Sequence, residues 1–505
     1  MDRPIHVVGG GIAGLVAAIT AAEAGAPVVV HEASGRAGGR ALGGTERAGV
    51  NLGPHVVFTD GALVRWLRSH HIDVGLRGPV VRGVRVLDDS GSHLPLVESA
   101  RLAATLPPQR APVDDSFRAW AEQAFGPTRA ALMCRLAGLF TFHDDPGALS
   151  ARFVWDRFRR TFLGADRVRW VAGGWSTLVD ALIERALARG ARIDLDDRLT
   201  PGTLPEGPTI VATKLSAAAR LLERRLDWPG TRTALLDVVT APGGNWPSIV
   251  ADVRADLATC CMIERETAVE PGLLGHDRYE LFQAHLGVGP GIAFDPAVAR
   301  IEDALDRAVD GWRERVVWRR GHLLVDSTGA VDPPGTTWRD RPGIDQGDDR
   351  FVAGDAVAAP GLLSEVAVNS AVRATHMALE ARRRQVFAPG WPSVDLSPER
   401  RLAVLAAALP GASLESVELR GGSDRGREIE PVDETGPGYL LGVRAGVVRG
   451  TAVTPSPDGS RVTTLAWVRW PEPVARPLNR LYSTLRASVF GSSAWRYALG
   501  RRRFR

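Results

Sequence analysis

The run Gly9-Gly10-Gly11-Ile12-Ala13-Gly14 places three glycines at a spacing suited to holding a dinucleotide. Gly9 permits a tight turn from strand to helix, Gly11 lets the backbone approach a pyrophosphate, and Gly14 allows close helix–strand packing. A helix starting at this turn offers free N–H groups and a positive dipole end to phosphate oxygens. Glu32 lies 18 residues beyond Gly14, where a carboxylate can accept hydrogen bonds from both ribose hydroxyls. His55 is the most tempting single acid, base or wall residue downstream, although a lone histidine is more often a packed structural one.

These residues need a frame. Ile5-His6-Val7-Val8 reads as a strand, Leu15 to Ala24 as an Ala-rich helix stopped by Gly25, and Pro27 to His31 as a second strand ending at Glu32. Ser176 to Arg189 has helical spacing and is followed by strands at Ala191–Leu195 and Thr209–Ala212. Arg350 to Ala353 is a further strand, followed by Gly354-Asp355, a Pro360-Gly361 turn and a helix from about Ser364 to Arg384. The expected architecture is α/β: a discontinuous Rossmann-like domain (1–60, 171–215, 346–387) with an inserted α+β substrate domain (61–170, 216–345). Within the insertion, 61–170 is helical and aromatic-rich, which suits a substrate tunnel or an ordinary core. Residues 216–345 alternate as strands do, with one helix near Asp295 to Arg315. A linker at 388–397 leads to an appended C-terminal α+β domain, 398–505, of unassigned role. Strands are expected there at Ser413–Arg420, Tyr439–Val448 and Arg461–Trp470, with a helix before them. An amphipathic helix from about Pro477 runs into a basic tail.

Arg36-Ala37-Gly38-Gly39-Arg40 follows Glu32 and Ala33 to give E-x3-R-x-G-G-R. This segment resembles the flavoprotein superfamily of amine oxidases, protoporphyrinogen oxidases and phytoene desaturases. The resemblance implies FAD as cofactor, with Glu32, Ala33, Arg36, Gly38, Gly39 and Arg40 wrapped around it. Asn51-Leu52-Gly53-Pro54-His55 is similar to the superfamily's next block, which runs beside the flavin ring and implies Gly53, Pro54 and His55 as contacts. Ala172-Gly173-Gly174-Trp175 and the following helix and strand resemble a third block, which implies a backbone contact to adenine near Leu199. Phe351-Val352-Ala353-Gly354-Asp355 with Gly361 to Ala367 resembles the closing block. It implies that Gly354 and Asp355 bind ribityl hydroxyls. It also implies that the helix N-terminus at Ser364, Glu365, Val366 and Ala367 faces the flavin edge that turns negative on reduction. The four blocks cover about residues 4–385.

Composition narrows the choice. Lys plus Arg number 62 against 58 Asp plus Glu, and Lys214 is the single lysine. Many amine oxidases of the superfamily place a lysine near the flavin, whereas Lys214 follows a strand of the nucleotide domain. That departure favours the phytoene desaturase-like branch. Arginines are interleaved with acids, so no nucleic-acid partner is expected, and only the terminal GRRRFR is a basic cluster. Three cysteines (Cys134, Cys260, Cys261) make no disulfide framework and fit a reducing, cytoplasmic setting. No membrane span or metal site is expected, and the terminal basic amphipathic helix offers a peripheral membrane contact. With no second Gly-x-Gly-x-x-Gly and no Cys-x-x-Cys, a dedicated NAD(P) domain is not expected. The reading is an FAD-dependent oxidoreductase that abstracts a hydride from a hydrophobic or bulky organic substrate. Its alternatives are an amine or amino-acid oxidase, a redox-neutral flavin-dependent isomerase, and a non-catalytic binding protein on the same fold.

Overall fold

Short β-branched segments with no interrupting polar run build the first sheet. Ile5–Val8 pairs in parallel with Val28–His31 on one side and Thr209–Val211 on the other. Arg192–Asp194 and Arg350–Val352 complete the two edges, so five parallel strands come from three separated parts of the chain. Ile5, Val7, Val28, Val30, Ile210 and Phe351 are buried in one core with helices Ile12–Glu23, Trp175–Ala188 and Ser364–Val386. The last helix places Ala367, Ala371, Ala374, Ala378 and Ala381 at helical spacing, all buried. Small side chains on this stripe let it lie close to the Ala-rich first helix, where Thr375 Oγ1 donates to the Ala17 carbonyl at 3.4 Å.

The computed structural model describes residues 3–42, 50–78, 80, 83–89, 110–162, 168–256, 258–275, 278–326 and 328–386, with strands 413–420, 442–444, 447–455 and 461–469. The chain divides into two compact units, Met1–Phe387 and Ala388–Arg505.

A second sheet in the first unit has six strands, in the order Val316–Val325, Arg232–Thr240, Glu280–Gly287, Cys261–Arg265, Ile249–Asp252 and Val84–Leu87. All pairs are antiparallel except the last, which is parallel. Period-two alternation gives it two unlike faces. Ala234, Leu236, Val238, Phe282, Ala284 and Ile263 bury against Ala297, Ile301, Ala304 and Leu305 of helix Phe294–Ala308. The opposite face carries a polar row, Arg320, Asp237, Gln283 and Glu264, each directly paired with the next across the strands.

The aromatic-rich insertion forms a core of its own. Phe117, Trp120, Phe153, Trp155 and Phe158 are buried together among helices Phe117–Phe125, Pro127–Leu136 and Ala151–Phe162. A three-stranded antiparallel patch, Val57–Phe58, Val168–Val171 and Leu76–Arg77, leads into helix Trp175–Ala188.

The second unit contains a four-stranded antiparallel sheet in the order Ser413–Arg420, Arg461–Arg469, Val447–Pro455, Gly442–Arg444. The strand expected over Tyr439–Val448 is thus two strands paired with each other. The linker at 388–397, the helix expected before Ser413 and the basic amphipathic helix from about Pro477 lie outside the described residues. Among the described residues, no helix is long and apolar enough to cross a membrane.

Candidate functional site

The C-terminal ends of the parallel strands meet at one edge. Gly9 follows Val8, Glu32 follows His31, and Gly354 and Asp355 follow the strand ending at Val352. A Cβ on Gly14 would stand 1.8 Å from the Gly9 carbonyl oxygen, so only glycine lets the first helix sit this close to the turn. A Cβ on Gly11 would meet nothing within 4 Å, which leaves open space in front of the helix N-terminus where phosphate oxygens are expected.

Glu32 is held by its own neighbourhood. Its Oε2 accepts from the Gly10 N–H at 2.7 Å, and Oε1 accepts from the Ser34 N–H at 2.9 Å and the Ser34 hydroxyl at 2.6 Å. An ionised carboxylate has about four lone-pair sites, so capacity remains for a further donor. The strand end beneath it is pinned by a chain of side chains. His31 Nδ1 lies 2.7 Å from Asp197 Oδ2, and His31 Nε2 lies 3.0 Å from His6 Nδ1. Burial, followed by the nearby His31, pushes the His6 imidazole down to about 4.

The arginine-bearing segment folds back onto the glycine turn. Gly38 donates to the Gly10 carbonyl at 2.7 Å. Gly38 adopts φ +129°, and a Cβ there would come within 2.4 Å of Leu42. Arg36 is exposed, and its carbonyl oxygen lies 2.9 Å from Ser34 Oγ. Arg40 Nη1 reaches Asp355 Oδ2 at 2.7 Å across a separation of 315 residues. This ion pair joins the first and fourth sequence blocks. Asp355 also lines a water-sized cavity of about 10 Å³ with Phe140, Phe153, Arg157, Leu363 and Val366.

The loop Asn51–His55 is held from behind by the polar row. The Asn51 carbonyl accepts from Arg320 Nη2 at 2.7 Å and from Gln283 Nε2 at 2.9 Å, while Asn51 Oδ1 accepts from the Trp175 N–H at 3.2 Å. Asp237 takes a second donor from each of the same two side chains, from Arg320 at 2.7 Å and Gln283 at 2.8 Å. Asp237 and Gln283 are fully buried and Arg320 is 7% exposed. At the end of the row, Glu264 accepts from Trp170 Nε1 at 3.2 Å, and burial raises its carboxyl to about 7. Glu266, two residues on, is also pushed up, first by burial and then by the Glu264 charge.

His55 packs against Trp175 with ring centroids 4.8 Å apart. Its Nδ1 lies 2.8 Å from the Gly53 carbonyl oxygen. A carbonyl only accepts, so the proton sits on Nδ1 and Nε2 is left as an acceptor. Burial lowers the imidazole to about 4, helped by the Arg40 charge.

The expected donors at the last helix are arranged differently. The N–H groups of Glu365, Val366 and Ala367 already donate to Leu362 and Leu363 carbonyls at 3.0 to 3.3 Å. Leu363, at φ +51°, tightens the turn that brings those carbonyls round. The Glu365 carboxylate is likewise committed, to Arg160 through two contacts of 2.5 Å and to the Leu362 N–H at 3.1 Å. Leu199 packs half-buried against the Rossmann core in the segment after strand Arg192–Asp194. Lys214 stands at the start of helix Leu215–Leu222, and its Nζ donates to the Val325 carbonyl.

The polar row and Arg160 were not singled out by sequence reasoning. Asp237 and Gln283 did carry a signal, as lone polar residues inside apolar strands, but it does not show which side they face.

Residues 7–69 match a family described as NAD(P)-binding Rossmann-like domain. An 83-residue stretch is 37% identical to hydroxysqualene dehydroxylase from Sinorhizobium fredii, covering 16% of this chain and 20% of that one. The chain therefore spans about a fifth of the length of this curated relative. The fold is similar to that of an oxidoreductase from Methanosarcina mazei, with TM-score 0.60 and 16% identity over 74% of this chain and all of that one. Cyclohexylamine oxidase from Brevibacterium oxydans aligns with TM-score 0.56 and 16% identity over 75% of this chain and 99% of that one. Reduced UDP-galactopyranose mutase aligns with TM-score 0.55 and 11% identity over 75% and 95% respectively.

Proposed function

We infer from a chain that carries the fold of the amine oxidase and phytoene desaturase superfamily that it is an FAD-dependent oxidoreductase acting on a hydrophobic or bulky organic substrate. One observation carries the reading. The glycine turn, Glu32, Arg40 and Asp355 converge at the C-terminal edge of a single parallel sheet, joined by contacts of 2.7 Å. Open α/β sheets bind their ligands at that edge. The matched family model is described as NAD(P)-binding, and the case for FAD rests on the further segments Arg36–Arg40, Asn51–His55 and Phe351–Asp355.

Gly11, Ile12 and Ala13 would hold the pyrophosphate, Glu32 the ribose, Leu199 the adenine side, and Arg40 with Asp355 the ribityl portion. Bound FAD supplies a two-electron acceptor for hydride removal from carbon. The protein side supports this chemistry by positioning and water exclusion rather than by a strong base. His55 holds no titrating proton near neutral pH and serves as a wall and acceptor. Lys214 is bonded to Val325 at a helix start, which weighs against lysine-assisted amine oxidation. The name of the Sinorhizobium relative, hydroxysqualene dehydroxylase, agrees with a large apolar substrate.

The test is reconstitution. The full chain incubated with FAD and passed through a desalting column should emerge yellow, and Asp355→Ala should emerge colourless at the same protein concentration. A wild-type chain that retains no FAD overturns the reading. With flavin retained, anaerobic bleaching by long-chain isoprenoid alcohols supports the substrate class. Bleaching by amines alone, with peroxide released in air, replaces that class with amine oxidation.

A further inference from the structure

We propose, on the reading of this chain as an FAD enzyme, that Arg157 supplies the positive charge that stabilises the reduced flavin. The start of helix Ser364–Val386 is poorly equipped for that task. The N–H groups of Glu365, Val366 and Ala367 are already used within their own turn. The flavin edge that turns negative on reduction therefore needs another source of positive charge.

Arg157 stands on helix Ala151–Phe162, one turn before Arg160, whose two contacts with Glu365 hold this helix against the first turn of Ser364–Val386. Arg157 accordingly shares a small cavity with Asp355, Leu362, Leu363 and Val366. Its guanidinium lies over the Phe153 ring, 3.5 Å from the centroid, and Nη1 donates to the Phe153 carbonyl at 3.2 Å. Those contacts fix the group in place and neutralise nothing. The charges around it are matched without it. Asp332 takes Arg341 at 2.8 Å, and Asp355 takes Arg40 at 2.7 Å. Glu365 takes Arg160, which also reaches the exposed Asp60 at 3.5 Å. Four arginines thus meet three interior carboxylates, and among the described residues Arg157 has no ion pair. Asp156, its chain neighbour, is exposed. Burial, then the nearby Arg341 charge, pushes the Arg157 guanidinium down to about 9, the direction of a cation short of compensation, and it stays charged at neutral pH.

A buried cation with spare donors calls for an anion. The cavity encloses about 10 Å³, the space of one water, so no substrate carboxylate or phosphate fits inside it. The anion is instead a group lying against its wall, at Asp355 and the start of the helix. On the FAD reading that group is the N1–C2=O edge of the flavin. When a substrate C–H bond breaks and its hydride forms an N5–H bond, the electron pair displaced within the ring settles as negative charge on that edge. A fixed guanidinium in a water-poor site lowers the energy of that charge.

The test is sulfite titration of the FAD-loaded full chain, as wild type, R157M and R157K, together with the two-electron midpoint potential measured by dye equilibration. Sulfite bonds to N5 and leaves negative charge on the same edge, so its affinity reports the counter-charge without turnover. R157M should fold and retain FAD, bind sulfite at least about tenfold more weakly, and show a potential lower by about 30 mV, which is tenfold for a two-electron couple. R157K should recover most of both. The potential alone decides if sulfite adds to neither protein. Unchanged values in yellow R157M overturn the proposal and leave the FAD reading standing. Folded R157M that loses its FAD also overturns it, and makes Arg157 a binding residue for the oxidised cofactor. Wild type that retains no flavin overturns the FAD reading and this role with it. If circular dichroism shows R157M unfolded, the comparison passes to R157Q, where values equal to wild type overturn the proposal.

Discussion

Gly11 and Gly14 sit three residues apart in the same turn yet answer to different constraints. Gly14 is closed by the Gly9 carbonyl, so Gly14→Ala must displace backbone and should cost about 1–3 kcal/mol, read as a fall in the midpoint of urea unfolding. Gly11 faces open space, so Gly11→Ala should leave unfolding of the FAD-free protein unchanged. Its added methyl should instead weaken FAD retention, because it occupies the approach to the helix N-terminus. Loss of apo stability in Gly11→Ala would show that the space is not a cofactor approach. His55 gives a third expectation at this scale. With its pKa near 4, the ring is uncharged throughout the neutral range. His55→Gln should therefore change the level of a pH–rate profile without changing its shape above about pH 5.

Within the six-stranded sheet, one polar residue on each of four neighbouring strands makes the row behind the Asn51 loop. Removing one member leaves a buried partner exposed to nothing. Arg320→Met should cost about 3–5 kcal/mol in the midpoint of chemical unfolding, and Asp237→Leu added to it should recover much of that loss. Additive losses in the double variant would show that the two residues act separately.

The same face holds two groups with opposite pH linkage. His285, 2% exposed, is lowered to about 4 by burial, so its contribution is full above its unfolded value of 6.5 and is lost as pH falls toward 4. Glu264 is raised to about 7, so its contribution is full below its unfolded value of 4.5 and is lost as pH rises through 7. Between these limits the two trends oppose each other. Relative to wild type at each pH, the thermal midpoint of Glu264→Gln should gain as pH rises from about 4.5 to 7, and that of His285→Leu should gain as pH falls from about 6.5 to 4. Parallel slopes in the two variants would contradict the assignment.

Much of the first sheet was legible in the sequence because its signals are local. The glycine turn, the helix stop at Gly25 and the acid at Glu32 all fall within one short stretch. The polar row was not legible, because it depends on strand register: Glu264, Gln283, Asp237 and Arg320 become neighbours only after four strands pair. Arg160 had no signal either, since nothing in the helix Ala151–Phe162 indicates that it will meet Glu365.

At the scale of the molecule, the first unit contains the entire nucleotide edge. A chain ending at Phe387 should fold and retain FAD as the full chain does, and loss of flavin in that truncation would assign the second unit a part in the site. FAD at a hundred times its Kd should raise the stability of either chain by about 2.7 kcal/mol. The pairing of Arg40 with Asp355 also sets a schedule for synthesis. Strand Arg350–Val352 closes the parallel sheet from its edge, and Asp355 arrives immediately after it. A nascent chain that has already exposed its glycine turn and Glu32 therefore waits for some 320 further residues to be translated before the pocket is whole. On the proposed reading, flavin loading thus belongs to the last part of translation or to the released chain, when the first unit has fully emerged.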